Sequence, residues 1–304
     1  MFALLLGIVV GNLPLKRTVE GAQPGLAFAT RWLLRGGIVL FGLSLTFAQV
    51  VGLGPKVLLL DALIITAVLL VGYQIGTRVL GMDRETTLLT SAGSAICGAA
   101  AVLATESTIR SKPAAASMAV ATVVLFGSLA MLTYPLLYPW LGMDEGLFGV
   151  YIGATVHEVA QVVAAGDAVG PDALANAVIV KLVRVMLLVP FLLVVGQWWL
   201  RQPTQEGAKA GAQGAHKAKL VIPWFALGFI AMVGVNSVIT LPAPLHSGLV
   251  LAGQIALTMA MAALGINTRM SRLKALGVKP FLLALILFVL LVVGGGMASA
   301  LLMG

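Results

Sequence analysis

Five polar side chains sit where the sequence otherwise reads as membrane-spanning: His157, Glu158 and Gln161 within Gly153–Gly166, then Lys181 and Arg184 in the next apolar run. An ionisable group at the centre of a spanning helix costs about 2.5–3.5 kcal/mol on insertion scales. Several together need a polar cavity or one another. Lys181 and Arg184 are three apart and share one helical face, so they form a cationic face opposite a glycine-bounded polar segment. That arrangement suits a small anion. Histidine is the side chain whose charge changes near neutral pH, which suits His157, beside Glu158, to carrying a coupled proton. Gln161 lies four residues on, on the face of His157, and Thr155 offers a neutral hydroxyl.

A second polar set lies in Thr90–Ala101, a run of tiny residues containing Ser91, Ser94 and Cys97. Gly93 and Gly98 allow this helix to unwind at membrane depth. Discontinuous helices buried in protein are where transporters place substrate sites, because half-helix N-termini offer unpaired N–H groups to an anion. Against this stands a tightly packed small-residue helix interface. Lys181 and Arg184 likewise have a structural alternative, a buried pair with Glu158 or Glu106. Adjacent helical residues point about 100° apart, so His157 and Glu158 need not share a pocket.

An enzyme is not expected. His157-Glu158-Val159-Ala160-Gln161 lacks the second histidine of the zinc-protease pattern, and His216 and His246 fall in a linker and at a span end. A Ser94/Lys181 hydrolase is a minor reading, and no phosphate-binding loop is present. The single Cys97 excludes an internal disulfide or a cysteine-built zinc site. No cofactor and no metal are expected.

The elements that must position these groups are helices in a bilayer. Of 304 residues, 60% are hydrophobic and 10% charged, against about 25% charged in soluble domains. Apolar runs of roughly 20 residues recur, the length that crosses about 30 Å of hydrocarbon. The expectation is an all-α polytopic membrane protein with about 8–10 transmembrane helices, two of its segments being broken or re-entrant. The chain reads as one domain, residues 1–304, in halves 1–140 and 141–304. In order, residues 13–31 read as a loop, with spans at about 32–52 and 56–78. Asp61 sits near the start of the second of these and reads as a solvated interfacial residue more often than a ligand. Tyr134, Tyr138 and Trp140 read as an interfacial belt. Spans follow at about 173–200, 220–241, 245–267 and 281–303, with a flexible linker at 201–219. Met1–Val10 has no signal-peptide pattern and is short for a span, as if an earlier helix were missing.

The formal charge of +8 comes from Lys and Arg in short loops and sets orientation rather than nucleic-acid binding. With the basic stretches 13–31, 201–219 and 269–279 cytoplasmic, the C-terminus lies outside. If the two small-residue segments re-enter, Arg110 and Lys112 fall inside and Asp144 and Glu145 outside, as the rule prefers. If both cross, the rule is violated. A weak repeat relates Gly36–Thr46 to Gly253–Thr268, and the two glycine-bounded segments form a second pair, which suggests inverted repeats.

Ser91–Gly98, Gly153–Gly166 and Lys181-Leu-Val-Arg184 resemble the corresponding segments of the YeiH-type family, described as sulfate exporters. The resemblance covers nearly the whole chain. It implies a fold similar to the bile-acid symporter and cation/proton antiporter group, with inverted repeats and crossing broken helices. The expected function is a secondary transporter in a bacterial inner membrane, moving a small anion such as sulfate or a related sulfur oxyanion. Coupling to H+ or Na+ would be by alternating access, and the protein could be a homodimer. A passive anion channel and a non-transporting sensor or scaffold subunit are the alternatives. The expected substrate-binding residues are Ser91, Ser94, Cys97, Thr155, Gln161, Lys181 and Arg184, with His157 and Glu158 in proton or ion coupling.

Overall fold

The computed structural model describes residues 2–13, 21–201, 224–267 and 277–304. The linker expected at 201–219 lies outside the described residues except for Arg201, as do the basic stretch Thr268–Lys274, His216, Lys16 and Arg17. The described residues form helices and no strand. They are α1 (Phe2–Asn12), α2 (Gln23–Ser44), α3 (Phe47–Gly52), α4 (Gly54–Val79), α5 (Arg84–Ala95), α6 (Ala99–Ile109), α7 (Pro113–Leu141), α8 (Glu145–Thr155), α9 (Val159–Val169), α10 (Pro171–Leu200), α11 (Trp224–Val238), α12 (Ala243–Asn267) and α13 (Val278–Met303). Six of these, α2, α4, α7, α10, α12 and α13, are long and apolar enough to cross a membrane.

Two expected boundaries move. The loop expected over 13–31 is already helical from Gln23, where Pro24 occupies the first turn, a position that needs no N–H partner. The span expected to run to residue 52 ends at Ser44, because Leu45 is extended (φ −125°, ψ 157°). The freed backbone there is taken up by α11. Asn236 donates to the Leu45 carbonyl at 3.0 Å, and Ser237 Oγ accepts from Phe47 N at 2.8 Å.

The short helices α5 and α6 are 12 and 11 residues long, about 16–18 Å each at 1.5 Å per residue. That is only half a bilayer. Asp83 caps α5 by accepting from Thr86 N at 2.8 Å, and one residue inside that end Glu85 Oε2 accepts from Lys112 N at 3.0 Å. Lys112 follows α6 and caps α7. The start of α5 and the end of α6 are therefore tied together, and the pair enters and leaves by the same face. The next pair repeats the device. Asp144 caps α8 through Leu147 N at 2.9 Å, and Glu145 Oε1 accepts from Asp172 N at 2.8 Å at the start of α10. Both small-residue segments are re-entrant hairpins, and the crossing geometry expected from the family resemblance is not what the described residues form.

The hairpins enter from opposite faces. α10 fixes this, because Asp172 at its start sits at the base of the α8–α9 hairpin. Near its far end, Gly196 lies against Thr108 at the base of the α5–α6 hairpin. The units α5–α6–α7 and α8–α9–α10 are thus inverted with respect to each other. Contacts between α4 and α13 keep a constant step: Gly76 meets Leu283, Gly72 meets Leu287, and Ile64 meets Gly295. The same glycines seat the hairpins. A Cβ on Gly72 would lie 2.4 Å from Ser91 Oγ, and one on Gly295 would lie 2.3 Å from Thr155 Cγ2. The related stretches near Gly37 and Gly253 pack reciprocally, each glycine facing the other's carbonyl, where α2 and α12 cross beside α1 and α11.

Cysteine labelling in sealed membranes tests the hairpins in a Cys97→Ala background. Met82→Cys and Arg110→Cys should react with an impermeant maleimide from one face, and Met143→Cys and Val169→Cys from the other. Reaction of Met82→Cys and Arg110→Cys from opposite faces would mean that the segment crosses.

Candidate functional site: the meeting of the hairpin tips

The first hairpin turns through Ile96–Gly98 and the second through Val156–Glu158. Gly98 has φ +67°, ψ −133°, a conformation open to glycine and strained for other residues. A Cβ there would also lie 2.5 Å from Glu158 Cγ, so the glycine is what lets the two tips touch. Four half-helix ends meet here. The C-terminal ends of α5 and α8 present unpaired carbonyls, and the N-terminal ends of α6 and α9 present unpaired N–H groups.

Side chains complete each end with the opposite charge, as the helix dipole requires. Lys181 Nζ donates to the Ile96 and Val156 carbonyls, both at 2.7 Å, joining the two tips. Arg184 Nε donates to the Ala95 carbonyl at 2.8 Å and Nη2 to the Ser94 carbonyl at 3.1 Å. Both cations are fully buried. At the other polarity, Glu158 caps α9 in a reciprocal box with Gln161, whose Oε1 accepts from Glu158 N at 3.0 Å. Glu158 Oε1 also accepts from Ala99 N at 3.4 Å, at the start of α6. The two cations thus spend their hydrogen bonds on main-chain carbonyls rather than on Glu158 or Glu106.

All nine residues singled out from the sequence lie at or beside these tips, but they are not equally free. Ser91 Oγ donates to the Thr87 carbonyl at 2.7 Å. Thr155 Oγ1 donates to the Tyr151 carbonyl at 2.6 Å and accepts from Tyr134 at 3.0 Å. Cys97 is buried as a free thiol. By contrast Ser94 Oγ, Gln161 Nε2, Arg184 Nη1 and His157 Nδ1 are buried without a hydrogen-bond partner, and so is Thr90 Oγ1. Of the expected site residues among these, Ser94, Gln161 and Arg184 bring donors that remain unspent after the hairpins are closed. Their carriers sit on three different helices or turns.

Two residues were misread from sequence. Asp61, expected to be solvated near an interface, lies two turns inside α4 and is completely buried, with neither carboxylate oxygen hydrogen-bonded. It is within electrostatic reach of Arg184 and Lys181. Tyr134, expected in the interfacial belt, is 1% exposed and stacks on Tyr151 with ring centroids 4.8 Å apart. α7 is long enough that residue 134 still lies under the hairpins, whereas Trp140 at its end is exposed as expected. The Tyr151 hydroxyl reaches the Val292 carbonyl at 2.8 Å, in a π-helical turn of α13, Leu290–Gly295. Such turns displace carbonyls from the regular ladder, and composition gave no sign of one. A cavity of about 390 Å³ opens between α9–α10 and the α2–α12 pair, lined in part by Val163, Leu174, Gln254 and Thr258.

Residues 1–284 match the family described as conserved hypothetical protein 698, and the chain belongs to it. It is 47% identical over 305 residues to the UPF0324 membrane protein PA5383 of Pseudomonas aeruginosa, across 98% of this chain and 84% of that one. It is 45% identical over 296 residues to the UPF0324 inner membrane protein YeiH of Escherichia coli K12, across 97% and 83% respectively. A Yersinia pestis UPF0324 membrane protein is 44% identical over 299 residues. The YeiH-type resemblance read from the hairpin segments therefore holds, and the chain is a multi-pass inner-membrane protein. No solved structure matches it.

Lys181→Met keeps the bulk of the side chain and removes both bridging hydrogen bonds. At about 1.5–3 kcal/mol for each charge-assisted bond, it should lower the melting temperature of the detergent-purified protein by several degrees. Lys279→Met, at an exposed position, should leave it unchanged. Equal melting temperatures for the two variants would mean that the bridge does not hold the tips together.

Proposed function

We propose that this member of the conserved hypothetical protein 698 family is a secondary transporter of a small anion. The observation that carries the reading is the convergence of two oppositely inserted hairpin tips at mid-membrane, with unspent donors from Arg184, Gln161 and Ser94 at or beside them. Spanning helices that only hold a protein in lipid have no use for half-helix ends at that depth, where each unpaired backbone group costs several kcal/mol. Gln161 Nε2 and Arg184 Nη1 can only donate, and Arg184 offers a delocalised cation suited to an oxyanion. Sulfate or a related sulfur oxyanion is the substrate class that the resemblance suggests. Opposed insertion gives each face of the membrane its own hairpin. Movement of one tip at a time against α2 and α12, along the cavity beside α9, is a route to alternating access. H+ or Na+ would supply the driving force.

Orientation follows from charge. The face carrying the base of the first hairpin bears Arg78, Arg84, Arg110, Lys112, Arg201 and Lys279. The face carrying the base of the second bears Asp144, Glu145 and Asp172 with one cation, Lys56. The positive-inside rule puts the first face in the cytoplasm and the C-terminus outside.

The test is reconstitution into liposomes with labelled sulfate or thiosulfate inside or out. Uptake should depend on an imposed pH or Na+ gradient; flux that is indifferent to both gradients would favour a channel. Arg184→Lys keeps a charge in contact with the Ala95 carbonyl but loses the planar fork. It should reduce uptake about 10- to 100-fold, the equivalent of one charged hydrogen bond, in protein that remains monodisperse. Unimpaired uptake in this variant would remove Arg184 from the substrate path.

A further inference from the structure

Asp61 takes no part in closing the hairpins. Two turns inside α4 it is completely buried, and neither of its oxygens accepts a hydrogen bond. A carboxylate left like this at membrane depth is costly unless it serves a function. The stepwise contacts of α4 with α13 locate its surroundings. One further turn beyond the Ile64–Gly295 contact brings Ser299 level with Leu60 and Asp61. Ser299 is also completely buried, and its hydroxyl has no partner. Two unpartnered polar groups therefore share one level of the α4–α13 interface.

The other charged and titratable groups around Asp61 come from each neighbouring element. α10 contributes Arg184 and Lys181. Cys97 of the first tip and His157 of the second are within reach of the same two cations, and Glu158 is within reach of Lys181. α7 contributes Tyr134, next to Arg184, and α8 contributes Tyr151, which is bonded to α13. Apart from His157, the charged groups named here are two cations and two carboxylates, Glu158 and Asp61. Glu158 is committed to two helix N-termini. Asp61 is the only one of the four that is free of structural bonds.

We infer that Asp61 is the proton carrier of the transport cycle: its protonation leaves the Lys181–Arg184 pair with one uncompensated positive charge, and that charge admits the anion. This rests on the reading of the tips as an anion site. A proton from water forms an O–H bond on the Asp61 carboxylate. The anion then takes the place that the carboxylate charge held opposite Arg184. On release the O–H bond breaks, the proton returns to water, and the carboxylate again balances the cation. The small number of side-chain oxygens at this level suits a proton better than Na+, because hard cations require several oxygen ligands. Proton and anion reinforce each other reciprocally, as linkage demands, and leave together.

The experiment uses purified full-length protein in weak buffer, titrated with sodium sulfate or sodium thiosulfate against sodium chloride at matched ionic strength. Bound anion and proton uptake are both recorded. Wild-type protein should take up about one proton for each anion bound, and its anion affinity should change by up to about tenfold per pH unit. Asp61→Asn, held permanently neutral, should bind with no proton uptake and no pH dependence, and Asp61→Glu should restore both. Anion binding with undiminished proton uptake in Asp61→Asn overturns the role of Asp61 while leaving the anion site standing. Failure of wild-type protein to bind any of the anions overturns both. If Asp61→Asn does not fold, infrared difference spectra of wild-type and Asp61→Glu protein decide the matter. Anion addition should produce a protonated-carboxyl band whose position moves in Asp61→Glu, and a band that is absent or unmoved overturns the proposal.

Discussion

The rest of this structure depends on one constraint: a helix that stops in the middle of a bilayer leaves main-chain groups that water cannot reach. Here four helices stop at the same depth. Two end with carbonyls facing inward and two begin with N–H groups facing inward, and neither set can be satisfied by lipid. Lys181 and Arg184 answer the first set, and Glu158 with Gln161 answers the second. The charged residues are therefore architectural before they are anything else. A functional role must come from the hydrogen-bonding capacity they have left over.

That surplus is what separates this site from a simple structural pair. The Lys181 ammonium makes two of its three possible bonds to carbonyls, and the Arg184 guanidinium turns one terminal nitrogen, Nη1, to no partner at all. Asp61 is drawn in from the opposite wall without being bonded to either. The glycines carry the complementary share. Gly98 allows the two tips to touch, and Gly72 and Gly295 let α4 and α13 press directly on the hairpins. Larger residues at these points would separate the charges from the carbonyls they neutralise.

Much of this was legible in the sequence. Tiny residues where Leu and Phe are expected marked both hairpins, and two cations one turn apart in an apolar run marked α10. Whether the hairpins cross or re-enter was not legible, because both arrangements place the same residues at the same depth. The deciding contacts are from Glu85 to Lys112 N and from Glu145 to Asp172 N, each spanning 27 residues, and no local pattern announces them. Charge asymmetry did lean the right way, since only re-entry puts Arg110 and Lys112 on the same side as the other basic loops and Asp144 and Glu145 on the other. Asp61 was misread because distance from a helix end says nothing about which neighbours cover a residue; α10 and α13, far along the chain, do the covering. Tyr134 was misread for the same reason.

The sequence separation of the tip contacts has a consequence for how the protein is made. The Ile96, Ala95 and Ser94 carbonyls wait for partners that lie 85, 89 and 90 residues downstream. At about 5–20 residues per second of synthesis, the first hairpin, complete at Ile109, exists for roughly 4–15 seconds before Arg184 is even translated. During that interval its turn cannot rest at its final depth in lipid without paying for bare carbonyls. The first hairpin must therefore be held at the membrane surface or by the insertion machinery until α10 arrives, so the centre of the molecule cannot be assembled before its tenth helix.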